Sequence, residues 1–193
     1  MDKVDRPKKN KFYPAFYSKD EALKMLEYAK DDQCYIPILI ATYYGLRRSE
    51  VIGLKWSSID FENSQIHINH KASEQTIKGE TVVTISNEMK TESSRRSVPL
   101  VPFVKSELIR HKEQQKEYKK ASKKQYSRKW EDFVCVNPKG EIIRPNYVTS
   151  HFKKFLRKHD LREIRYHDLR HSCASLLVYS FQFNIVYIVT IFK

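Results

Sequence analysis

The stretch HDLRH, His167 to His171, lies late in a chain of 193 residues and sets a histidine and an arginine at i,i+3, on nearly the same face of a helix. Far upstream, GLRRSE, Gly45 to Glu50, places a second arginine directly after an apolar run. A guanidinium presents a planar fork of donors matched to phosphate oxygens, so two arginines from distant segments can grip a phosphodiester and neutralise charge developing on it. A histidine beside them supplies proton transfer. Taken alone, Arg47 and Glu50 read more readily as an exposed i,i+3 ion pair contributing roughly 0.2–0.5 kcal/mol. Arg170 supplies the second clamp that favours the phosphate reading, which requires a fold that closes the two segments on each other.

Composition agrees with an anionic partner. Lysine and arginine number 36 against 23 aspartates and glutamates, a formal charge of +13 with a pI near 9.6, and nucleic acid is the leading candidate partner. The length suits one domain with a substantial core. Cys34, Cys135 and Cys173 are odd in number and widely spaced, which argues against a disulfide framework or a cysteine zinc site and fits a reducing cytoplasm. Residues 1–15 carry charge without an apolar signal region and read as a flexible basic arm. Ala174 to Phe192 holds no charged residue, yet Ser175, Ser180, Gln182, Asn184 and Thr190 interrupt it, so no membrane association is expected.

Between the two arginine motifs the pattern is mostly helical. Ser18 and Glu21 have capping-box spacing ahead of an apolar face at Ala22, Leu23, Leu26 and Ala29. Cys34 to Leu46 predicts a buried helix that delivers Arg47 at its exit. Gln65 to Asn69, Thr81 to Ile85 and Arg95 to Pro99 predict one small antiparallel sheet. Pro102 to Tyr126 reads as a long polar helix; from Lys105 to Lys129 ten basic residues face only Glu107, Glu113 and Glu117. Phe133 to Val136 is a short extended piece, Asn137 to Gly140 a turn, and Val148, Phe152, Phe155 and Leu156 line a helical core face. The expected class is mainly α with a small antiparallel sheet, one domain from residue 16 onward.

GLRRSE, VIGLKWSSID, KTESSRRSVPL and HDLRHSCASLLV resemble, in order and in sequence, the catalytic domain of the tyrosine recombinases, the phage-integrase family, across roughly Phe16 to Leu177. The resemblance implies that family's catalytic-domain fold and DNA breakage and rejoining through a phosphotyrosyl link, without metal or other cofactor, by a tetramer on paired sites. It implies double-stranded DNA as the partner and roles for Arg47 and Arg170 as phosphate clamps, Glu50 as a support, His167 in proton transfer, and Lys90 in protonating the departing 5′ oxygen; Lys71 and Lys78 stand as alternatives because spacing alone does not fix the hairpin register. In the family the attacking tyrosine stands about thirty residues beyond Arg170, past Lys193. Tyr179 and Tyr187 fall too early for that role and read as structural, so this chain is expected to be truncated before the nucleophile and unable to cleave DNA. The family's preceding DNA-clamping domain is likewise not expected in the short N-terminal arm. A non-catalytic DNA-binding remnant of a mobile element is the alternative. A zinc hydrolase built on the i,i+4 pair His167 and His171 is a minor one, because no third ligand is distinguished and His171 reads as a packing or hydrogen-bonding residue.

Overall fold

The computed structural model describes residues 16–77, 79–86 and 96–173. Helix α1 (Lys19–Ala29) starts where its capping box predicts. Ser18 Oγ accepts the Glu21 N–H at 3.3 Å, and the Glu21 carboxylate accepts the Ser18 N–H at 2.8 Å, which satisfies two orphan donors reciprocally. The buried stripe is Ala22, Met25, Leu26 and Ala29, the i,i+3,i+4,i+7 set; Leu23, expected on that face, stands exposed and Met25 takes its place.

Helix α2 (Tyr35–Tyr44) is buried almost all round, as its unbroken apolar run requires, and α1, α3 (Arg48–Ile52) and α4 (Pro102–Ser122) pack against it. Ile38, Leu39 and Ile40 are wholly buried, each contributing about 1.5–3 kcal/mol by leaving water. The helix stops at Gly45, whose φ of 57° lies in the left-handed region and whose N–H closes on the Ala41 carbonyl at 3.0 Å.

Where the sequence predicts one sheet, two form. Strands β1 (Ile59–Asp60), β2 (Gln65–Ile68) and β5 (Arg96–Pro99) make an antiparallel sheet in the order β1-β2-β5, with Ile66 opposite Val98. A separate antiparallel hairpin pairs β3 (Lys71–Ile77) with β4 (Glu80–Ser86). KASEQTI offers little apolar alternation, and tertiary contacts hold it instead. Ala72 is buried, the Asn146 N–H donates to Glu74 Oε2 at 2.9 Å, and the chain at His70 and Lys71 passes so close to Gly53 that a Cβ there would lie 2.7 Å from Lys71 Cα.

The long α4 shows a solvated face, as expected, with only Val104, Leu108 and Gln115 buried. Gln115 docks it by polar bonds: its Oε1 accepts from Trp56 Nε1 at 2.9 Å and its Nε2 donates to the Val134 carbonyl at 2.8 Å. Val134 is tied by its own N–H to the Leu54 carbonyl, and the predicted turn closes by the Gly140 N–H on the Asn137 carbonyl. Helix α5 (Pro145–Lys158) buries Val148, Phe152, Phe155 and Leu156, the predicted face. HDLRH, expected on one helix, divides: Tyr166–Asp168 form a 3-10 turn and α-helix runs from 169 through 173. The Tyr17 N–H donates to buried Ser172 Oγ at 2.9 Å, tying the start of the domain to this segment.

All three cysteines are free and buried. Among the described residues no helix is long and apolar enough to cross a membrane; the basic arm 1–15 and the apolar stretch 174–192 lie outside them.

Candidate active site

After Gly45 the chain becomes extended, and Arg47 (φ −64°, ψ 146°) is the N-cap of α3. Glu50, at the third position of that helix, accepts the Arg47 N–H at 3.0 Å and Arg47 Nη1 at 3.1 Å. The Glu50 side chain is 4% exposed and that of Arg47 61%, so a buried carboxylate aims an outward-facing guanidinium. Arg96 of β5 completes the set, donating from Nη2 to Glu50 Oε2 at 2.9 Å. Burial pushes the Glu50 carboxyl up, but the bonds from Arg96 and Arg47 outweigh it and hold the group below the usual carboxylate range.

Arg96 escaped the sequence reading, although a signal was there. It alternates with Val98 on one strand, and Val98 faces the core, so a cation at position 96 must turn inward and requires a carboxylate. The ambiguity between neighbouring arginines resolves by partner: Arg48 Nη1 donates to Thr149 Oγ1 on α5 at 2.7 Å, while Arg47 takes Glu50.

Segment 166–173 lies against the ends of α2. The buried Tyr166 hydroxyl donates to the Pro37 carbonyl at 2.7 Å, Leu169 and Cys173 enter the core, and the Cys173 thiol donates to the Tyr43 carbonyl at 3.1 Å. Arg170 Nη1 donates to the Gly45 carbonyl at 2.7 Å, which satisfies an orphan acceptor at the end of α2 and joins HDLRH to GLRRSE directly. Burial lowers the Arg170 pKa, the positive charge of Arg47 lowers it further, Glu50 opposes, and Arg96 adds to the lowering. Three guanidiniums therefore crowd around one carboxylate, an excess of positive charge that an entering anion would relieve.

His167 is exposed on the 3-10 turn. Burial of part of its ring, then His171 and Arg170, lower its pKa, which favours the neutral form that can accept a proton. His171, expected to pack or hydrogen-bond, is exposed, and its ring meets that of His167 edge to face at 6.1 Å. Lys90 and Lys78 lie outside the described residues; Lys71 begins β3 opposite Ser86.

Residues 16–182 match the phage integrase family. The chain belongs to that family. It is 29% identical over 166 residues to a tyrosine recombinase XerC-like protein of Caldanaerobacter subterraneus, covering 83% of this chain and 42% of that protein. It is 30% identical over 165 residues to the transposase of transposon Tn916 from Enterococcus faecalis, covering 80% and 39%. The chain thus spans about two fifths of the curated relatives it matches. In fold it is similar to the Tn1549 transposon integrase, solved in complex with transposon right end DNA, with a TM-score of 0.70 at 20% identity over 89% of this chain and 56% of that one. XerA recombinase follows at 0.67 and 19%, over 94% and 57%.

In this phage integrase family member the Arg47 guanidinium faces outward, its side chain 61% exposed, while the side chains of Glu50 and Arg96 that hold it in place are 4% and 11% exposed. A concavity of about 800 Å³ lies between the β3–β4 hairpin and the start of α5, lined by Glu74, Trp130, Arg144 and Tyr147 but not by Arg47, His167 or Arg170. Among the described residues, the group of three metal-type ligands that converges is Asp32, Cys34 and His151, away from HDLRH. Asp32 accepts the Cys34 N–H at 2.8 Å at the start of α2, and His151 Nε2 lies 2.8 Å from the same carboxylate, a clasp fastening α5 to α2.

Proposed function

We propose that this chain is the DNA-binding catalytic domain of a site-specific tyrosine recombinase of the integrase type. Double-stranded DNA is its substrate, and breakage and rejoining pass through a phosphotyrosyl link in a tetramer on paired sites. Arg47 and Arg170 clamp the scissile phosphate, Glu50 holds Arg47, His167 moves a proton, and Lys90 protonates the departing 5′ oxygen. The reading is carried by the bond from Arg170 to the Gly45 carbonyl, which brings the second clamp beside the first without consuming the outward face of Arg47. The DNA complex of the Tn1549 integrase, similar in fold, supports the choice of substrate. Three buried free thiols suit a reducing cytoplasm.

Duplex affinity measured across a salt series tests the reading. Several phosphate contacts make log K fall steeply with log salt, and Arg47→Gln or Arg170→Gln should each lower the slope by about 1. A flat or absent response from the wild-type chain would refute it. A polypeptide of residues 1–193 is expected to bind without becoming covalently attached, because Tyr179 and Tyr187 stand too near Arg170 in sequence for the attacking position. Denaturing gels after incubation with nicked duplex would expose an adduct.

A further inference from the structure

The turn carrying His167 repeats the device that presents Arg47. Arg165 is the N-cap of the 3-10 turn Tyr166–Asp168 with extended backbone (φ −79°, ψ 151°), as Arg47 is of α3. In each case the carboxylate three residues later accepts the arginine's backbone N–H, at 2.9 Å for Asp168 and 3.0 Å for Glu50. Each carboxylate also accepts from the guanidinium, at 2.7 Å and 3.1 Å. The side chains of Asp168 and Glu50 are 2% and 4% exposed, while those of Arg165 and Arg47 are 58% and 61% exposed.

Burying a carboxylate to hold an arginine whose side chain stays more than half exposed is a poor way to gain stability, because the desolvation cost offsets the attraction. It is an effective way to fix the direction of a guanidinium. Exposed pairs such as Arg157 with Glu163 and Arg162 with Glu21 use solvated carboxylates instead. Arg165 also stands two residues before His167, close enough for its charge to act on that ring, though less than burial, His171 or Arg170 do.

We propose that Arg165 holds a second backbone phosphate of duplex DNA, flanking the one gripped by Arg47 and Arg170, and that Asp168 is its positioning residue. The inference rests on the reading of Arg47 and Arg170 as a DNA phosphate clamp. A phosphate contact positions the duplex without reading its sequence, so its effect should be the same on unrelated duplexes.

Fluorescence anisotropy with a labelled duplex across a salt series, using the 193-residue chain, tests it. Arg165→Gln should lower the slope of log K against log salt by about 1, as Arg47→Gln does, while Arg157→Gln leaves it unchanged. Should loss of Arg165 unfold the chain by stranding the buried carboxylate, the double variant Arg165→Gln/Asp168→Asn removes both charges and should show the same loss of slope. A wild-type slope in the folded Arg165 variant or the double variant, with Arg47→Gln still impaired, overturns this inference and leaves the clamp standing. Absence of salt-dependent binding by the wild-type chain overturns both.

Discussion

Arg96 reaches from β5 to Glu50, Nη2 to Oε2 at 2.9 Å, in an ion pair whose two side chains are 11% and 4% exposed. It fastens the start of α3 to the three-stranded sheet. Its Nε has no partner among the described residues, so Glu50 carries most of the compensation for a buried cation. Glu50→Ala should destabilise the fold by about 3–5 kcal/mol, since removing one partner leaves an uncompensated charge. Urea unfolding followed by circular dichroism checks this, and a cost under about 1 kcal/mol would place Arg96 in water instead.

Gly45 and Gly53 should respond to alanine for different reasons. At Gly45 the left-handed φ of 57° strains any side chain, while the added Cβ meets Arg170 Cγ and Cys173 Cβ at a tolerable 3.4 Å; the expected loss is about 1–2 kcal/mol. At Gly53 the dihedrals suit any residue, but Lys71 Cα at 2.7 Å and the His70 carbonyl at 2.9 Å are backbone atoms that cannot rotate away. Gly53→Ala should therefore displace β3, at about 1–3 kcal/mol, with amide exchange accelerated in the hairpin. Similar exchange in both variants would count against the distinction.

Gln115 joins Trp56 Nε1 to the Val134 carbonyl, with His111 Nε2 2.9 Å from its amide. Gln115→Leu fills the space but strands the buried Trp56 Nε1 donor, while the Val134 carbonyl keeps His111 Nε2 at 2.9 Å, and should cost about 1–3 kcal/mol. Thermal melting of this variant beside an exposed α4 control, Glu113→Leu, separates the network from a general effect on the helix.

Acid should unfold the protein in two stages. Burial lowers the His111 pKa, so the unfolded chain binds the extra proton first and stability declines as pH falls below about 6.5. Glu50 and Asp168 are also held low: burial raises each, but bonds from Arg96 and Arg47 in one case and Arg165 in the other prevail. Their contribution is full above the ordinary carboxylate range near about pH 4 and is lost as pH falls through their lower folded values. His111→Gln should reduce the upper stage, leaving the part that His167 contributes, without changing the lower one in pH-dependent urea titrations; flattening of the lower stage instead would reverse the assignment.

The elements legible in sequence are those whose stabilising contacts are local or periodic. Ser18 and Glu21 announce α1 because their bonds span three residues, and the apolar run of α2 announces burial on every side. Strand β3 was illegible because its support comes from Gly53 and from α5, each distant in the chain. The arginine motifs were readable as chemistry, and Arg47 and Arg170 do meet through the Gly45 carbonyl. Arg96 shares the core-facing side of its strand with Val98, but its carboxylate partner Glu50 is distant in the chain, so the pairing is not visible in local spacing. The division of HDLRH into a 3-10 turn and a helix depends on Asp168 turning back to the Arg165 N–H, a geometry that i,i+3 spacing alone does not distinguish from a continuous helix.

The three thiols are buried in different parts of one core: Cys34 before α2, Cys135 behind α3 with its Sγ on the Val51 carbonyl, and Cys173 on the segment of Arg170 with its Sγ on the Tyr43 carbonyl. Burial drives Cys34 and Cys173 up to about 12 and Cys135 higher still, so none offers a thiolate while the chain is folded. Alkylating reagents can therefore reach each sulfur only when its surroundings open, and the three labelling rates, resolved by peptide, become a native clock for the breathing of separate parts of the domain. Cys173 would time the parting of the two arginine-bearing segments without any label having been engineered.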